Sequence, residues 1–182
     1  MAAYLKTYTG LKVDALLPDP DTIELRDIAH ALSLNCRGNG QVTHFYSVAQ
    51  HCINAYYEAV EWDYSDREKL FCLLHDAAEA YVTDLIRPVK QYLPDYQKIE
   101  DKFLEAIFNH FDLGLPTEDE WKKVKFVDDA LLDYDLVYLL NEAMPESGFK
   151  TKRVPDLEYV NPKEIEDLYY DIAIKLVDKL KK

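Results

Sequence analysis

Apolar residues recur at three- and four-residue spacing through most of the chain, and turn formers separate the runs. The pattern predicts helices over about residues 21–35, 43–62, 65–81, 95–111 and 117–143, with a last one from Asn161 onward. Their starts carry recognisable signals. Ser65-Asp66-Arg67-Glu68 and Thr117-Glu118-Asp119-Glu120 are capping boxes. Asn161-Pro162-Lys163-Glu164 sets Asn at the cap and Pro at the first helical position. Breakers fall at Arg37-Gly38-Asn39-Gly40, Arg87-Pro88, Leu93-Pro94, Gly114-Leu115-Pro116 and Pro145–Gly148. Strand signal is confined to the front, where residues 7–13 read as a small hairpin. The expectation is an all-α fold: one domain over residues 1–182 with about six main helices.

Composition narrows the function. The chain has 182 residues, enough for a core without disulfide or metal staples. Its 21 Lys and Arg against 34 Asp and Glu give a net charge of −13, which disfavours nucleic-acid polymers and anionic membranes as partners. An anionic substrate would need a local positive cluster, such as a metal ion. Cys36, Cys52 and Cys72 are odd in number and lack CxxC spacing, so neither a disulfide framework nor a cysteine zinc site is expected. The opening MAAYLKTYTG has no apolar leader core, and no stretch nears the roughly 20 apolar residues of a membrane span. A reducing, cytoplasmic setting fits.

Three segments carry candidate chemistry. In LFCLLHDAAEAY, residues 70–81, successive side chains turn by about 100°, so Glu79 falls roughly 40° from His75, on an arc shared with Phe71 and Ala78. Ionisable groups on an apolar arc are costly unless paired or metal-bound. His75 and Asp76 offer nitrogen and oxygen to one divalent cation, with Glu79 one turn later. The bland alternative is a satisfied structural network. In THFYSVAQHCINAYY, residues 43–57, His51 shares a face with Val48 and Ala55, as a core histidine or as a donor from a second helix. His44 is a weaker candidate, and His30 and His110 read as structural or surface residues. In WKKVKFVDDALLDYD, residues 121–135, Asp128 lies with Trp121, Val124, Leu131 and Leu132, whereas Asp129 lies with Lys122, Lys125 and Asp133. Asp128 is the preferred inward carboxylate.

With those pieces the sequence resembles the HD-domain metal-dependent phosphohydrolases, nearest to the small 5′-deoxynucleotidases and phage deoxynucleoside triphosphohydrolases. The resemblance rests on His51 in YSVAQHC, His75-Asp76 in LLHDAAEAYVTDL, Asp128 in VKFVDDALL, and the lead-in segments TYTG, DIAHALS and CRGNG, over about residues 7–135. It implies an HD-type helical bundle with His51, His75, Asp76 and Asp128 as metal ligands, although the Asp128-Asp129 doublet leaves the last register open by one. It further implies Glu79 as the catalytic acid/base and Asp84 as the residue orienting substrate or water. Arg37, Lys90 and Lys125 would grip phosphate. Deoxynucleotidases carry a Trp after the arginine, where this chain has Gly38.

The implied chemistry is hydrolysis of a nucleotide phosphate ester with one divalent transition metal, Mn, Co, Fe, Ni or Zn, and Mg as a further option. The first-choice substrate is a (deoxy)nucleoside 5′-monophosphate. A deoxynucleoside triphosphate is the alternative, toward which Lys90 and Lys125 lean. A homo-oligomer is implied by the resemblance alone. The reading from a different class is an acidic helical module that binds a partner protein, for which 14 Tyr and 7 Phe would supply contact surface.

Overall fold

The computed structural model describes residues 4–182. Residues 1–3, the start of the opening read above as lacking a leader core, lie outside the described residues. The fold is all-α apart from one hairpin, in which β1 (Tyr4–Lys6) pairs antiparallel with β2 (Lys12–Asp14), Leu5 opposite Val13. Eight α-helices follow: α1 Leu25–Leu34, α2 Val48–Glu61, α3 Asp66–Leu74, α4 Glu79–Val82, α5 Arg87–Lys90, α6 Pro94–His110, α7 Glu118–Tyr134 and α8 Pro162–Leu180. Six of them reach nine residues or more, as the apolar pattern predicts. No helix among the described residues is long and apolar enough to cross a membrane.

α3 is the axis of the bundle. Leu70 to Leu74 are fully buried, so the second half of this helix is apolar all round and must be enclosed, whereas its charged first turn, Asp66–Lys69, is half-buried. α2, α7 and α8 pack against it, and α8 also closes over α1. The Tyr169 hydroxyl of α8 donates to the Leu73 carbonyl at 3.0 Å, in the turn just before His75. The two capping boxes form as their sequences specify: Ser65 and Glu68 bond reciprocally at the start of α3, Thr117 and Glu120 at the start of α7.

Four predicted boundaries move, each for a local reason. α1 begins at Leu25, not at residue 21, because Glu24 is its cap, accepting the Arg26 N–H, and Pro20–Thr22 form a separate 3-10 turn behind Asp19. α2 begins at Val48, not near Thr43, because Ser47 is the true cap: its side chain accepts from the Gln50 N–H. The preceding residues are instead held by an isolated bridge between Cys36 and Ser47 and by the Thr43 N–H on the Leu139 carbonyl. The helix expected to run through 65–81 leaves α geometry at His75. Between Leu74 and Tyr81 the backbone mostly bonds three residues back: Ala77 to Leu74, Glu79 to Asp76, Ala80 to Ala77 and Tyr81 to Ala78. α7 ends at Tyr134 in a π turn, Asp135–Leu139, instead of running to 143.

The long connection between the π turn and α8 is fastened to α2 by a polar stripe at four-residue spacing. Gln50 and Asn54 bond the backbone of Asp156 and Glu158. Fully buried Glu58 accepts the N–H groups of Lys152 and Arg153 and the Trp62 indole N–H. Glu58→Ala orphans these three donors and should lower stability by roughly 2–3 kcal/mol. An unchanged urea midpoint would show that the stripe contributes nothing.

Candidate metal centre and cavity

The convergence of α2, α3 and α7 brings four donors together. The ligand atoms of His51, His75 and Asp76 lie within 4.8 Å of one another, a group able to hold a metal ion. Asp128 joins them through Oδ1, 3.3 Å from His51 Nε2 and 3.6 Å from His75 Nε2. The aspartate doublet divides as the helix faces predict. The Asp128 side chain is 9% exposed, and that of Asp129 is 56% exposed and bonded to Arg87.

These residues fit a metal by an independent observation. His75 Nδ1 donates to the Cys72 carbonyl at 2.8 Å, a contact of one sense only, which leaves Nε2 facing the cluster. That Nε2 is buried without a hydrogen-bond partner, although Asp76 Oδ2 stands only 3.2 Å away. Nitrogen and oxygen atoms that approach without bonding are the arrangement expected of donors around a shared cation, where bonds of about 2.0–2.2 Å set neighbouring ligands roughly 3.0–3.5 Å apart.

Electrostatics point the same way. Burial lowers the His75 pKa, yet Asp76, Cys52 and Asp128 outweigh it and hold the imidazole well above its ordinary range. Burial raises the Asp128 carboxyl, yet His51 and His75 hold it well below the usual carboxylate range. The centre retains positive charge, which a proton or a metal cation supplies.

A cavity of about 500 Å³ opens beside the donors, with Asp76 and Asp128 in its lining. Its lining combines charged side chains, among them Arg37, Glu79, Asp84, Lys90 and Lys125, with an aliphatic part to which Val42, Ile86, Leu132, Leu136, Leu139 and Leu140 contribute. Burial first, and then the Asp76 and Asp84 carboxylates, push the Glu79 carboxyl well above its ordinary range. Asp84 Oδ2 accepts the Gly38 N–H at 3.2 Å. Gly38 and Gly40 sit in left-handed backbone at φ +59° and +72°, so the turn after Arg37 presents main chain, not a bulky side chain, to the site.

All nine residues singled out from the sequence therefore stand at the centre or in the cavity lining. The cations are already engaged, however. Arg37 bonds Asp76 and Asp135, Lys125 bonds Asp128 Oδ2 at 2.7 Å, and Lys90 bonds Glu100 at 2.6 Å. The remaining histidines point elsewhere: His44 donates to the Leu157 carbonyl, His110 to the Pro20 carbonyl, and His30 meets Glu166 beneath Tyr8.

Two participants escape the sequence reading. Asp135 lies 3.3 Å from His51 Nδ1, where it can orient the ring, and 3.1 Å from Arg37. Its signal was its position seven residues after Asp128, on the same helix face. Arg87 reaches Asp128 Oδ2 at 2.9 Å from a segment that reads only as a breaker.

No family model matches the chain. It is 37% identical over 114 residues to the uncharacterized protein YfdR of Escherichia coli, and 36% identical over 119 residues to the uncharacterized protein RCAP_rcc00048 of Rhodobacter capsulatus. Each match covers 63% of this chain and 60% of the relative, so the similarity spans well under two thirds of those proteins.

Backbone strain adds one more feature. Thr83, just before Asp84, has φ +70° and ψ 159°, a region that β-branched residues avoid, and its carbonyl accepts the Tyr96 hydroxyl at 2.6 Å. Thr83→Gly should relieve the strain and raise stability by about 1 kcal/mol. A lowered melting temperature would refute this assignment.

Proposed function

We propose that the cavity is the active site of a metal-dependent phosphohydrolase of the HD-domain type, acting on (deoxy)nucleoside 5′-monophosphates. The observation that carries this reading is the meeting of two imidazoles and two carboxylates beside a cavity that also holds a raised carboxyl and an arginine. His51, His75, Asp76 and Asp128 would hold the ion, and this nitrogen-and-oxygen set suits Mn, Fe, Co, Ni or Zn. When bound, a divalent cation supplies a lowered water pKa and neutralises charge developing on the phosphoryl group.

The chain's own groups do the rest. Glu79, whose surroundings favour its neutral form, would give a proton to the departing 5′ oxygen as a water oxygen bonds to phosphorus and the ester bond breaks. Asp84 orients the attacking water or the substrate. A metal held by Asp76 would loosen the Arg37–Asp76 pair, so that the Arg37 guanidinium, still anchored by Asp135, is free in part for non-bridging phosphate oxygens. The aliphatic wall takes the nucleoside and excludes water from the reacting centre. The −13 net charge makes this local compensation necessary, because the surface does not attract an anion.

The test is phosphate release from a panel of nucleoside mono- and triphosphates with added Co, Mn, Mg or Zn, alongside elemental analysis of the purified protein. His75→Ala and Asp76→Ala should lose bound metal and turnover together. Glu79→Gln should keep the metal and lose at least about 100-fold in kcat. A protein without stoichiometric divalent metal that turns over none of these substrates would refute the proposal and favour the protein-binding module.

A further inference from the structure

Lys90 is the cavity's most distinctive cation, because its partner comes from outside the lining. Glu100, on α6, approaches its ammonium at 2.6 Å, and the Glu100 side chain is only 11% exposed. Tyr96, one helical turn earlier on α6, sets its ring 5.8 Å from the same ammonium. α6 thus holds Lys90 back against the wall through two residues at four-residue spacing. Around it the cavity is acidic, since its lining has six carboxylate side chains against four cations. A divalent ion would offset that excess, which is one charge smaller with Glu79 neutral, before any substrate enters. One phosphate group can be met by Arg37 and the ion. Further phosphates would need further cations of the lining, and among these Lys90 has its charge already answered by Glu100.

Building on the hydrolase reading above, we propose that Glu100 biases this cavity toward a single phosphate group: it sequesters Lys90 and so withholds that cation from a di- or triphosphate chain. Glu100 acts through Lys90 and does not touch substrate, so it is a positioning residue that determines specificity. The same pairing accounts for a lysine at a position where the family resemblance suggests triphosphate recognition, in a cavity otherwise suited to a monophosphate.

The test compares wild type, Glu100→Gln and the double variant Lys90→Gln/Glu100→Gln. Calorimetric titration of metal-free protein with adenosine 5′-monophosphate and with a non-hydrolysable adenosine triphosphate analogue reads binding apart from turnover. The kcat/KM ratio for tri- over monophosphate reads the loaded enzyme. Glu100→Gln should tighten binding of the triphosphate analogue about tenfold and raise that ratio similarly, while monophosphate affinity moves by less than about threefold. The gain should vanish in the double variant, because it requires the released lysine. Equal shifts for both ligands, or a gain that survives loss of Lys90, would overturn the proposal. Monophosphate turnover with an unmoved ratio removes the role of Glu100 and leaves the active site standing. Absence of both binding and turnover removes both readings.

Discussion

Everything in this molecule is arranged around buried charge that cannot be left alone. Two imidazoles and three carboxylates, His51, His75, Asp76, Asp128 and Asp135, meet where α2, α3 and α7 converge. Separately, each would oppose folding, because removing a charge from water costs several kcal/mol. Together they hold one another, with Arg37, Lys125 and Arg87 closing the outer side. An apolar bundle does not need such a cluster for stability, since well-packed aliphatic residues would serve as well. The cluster therefore asks for a reason other than stability, and the cation proposed above would be one.

The enclosing helices explain how the cluster is held in place. The C-terminal half of α3 is buried on every side, so its position is fixed by α2, α7 and α8. His75 and Asp76 emerge where that helix ends and the backbone tightens to shorter-range bonding, which orients the pair and Glu79 differently from a regular helix. Thr83 then turns the chain sharply to present Asp84. The centre sits at the end of a rigid rod, and the acid/base candidates occupy the less regular chain beyond it, a division suited to firm ligands beside groups that move protons.

The legibility of this arrangement in the sequence varied with how regular each element is. Asp128 could be separated from Asp129 because α7 is an undistorted helix there and the two faces differ in composition. The six long helices could be placed because their caps and apolar spacing agree. The break at His75 could not be read, since nothing in HDAAEAY distinguishes tight from regular helical bonding. Ser47 was passed over as a cap because the apolar pattern begins earlier, at Phe45 and Tyr46. Arg87 was invisible because a long side chain on a turn follows no period, and its partner is fixed by tertiary packing alone. Glu100 drew no attention, since a wheel does not reveal which neighbour a helix will meet.

The π turn at Asp135–Leu139 has an evolutionary consequence. A π turn amounts to one extra residue within a helix, and losing it restores ordinary winding. It begins at the last acid of the charged floor and carries Leu136 and Leu139 of the aliphatic wall. A one-residue insertion or deletion after Asp135 would rotate the wall by about a quarter turn and leave the four donors where they are. Such a hinge of sequence length lets a lineage reshape one part of the pocket while inheriting the donor cluster unchanged.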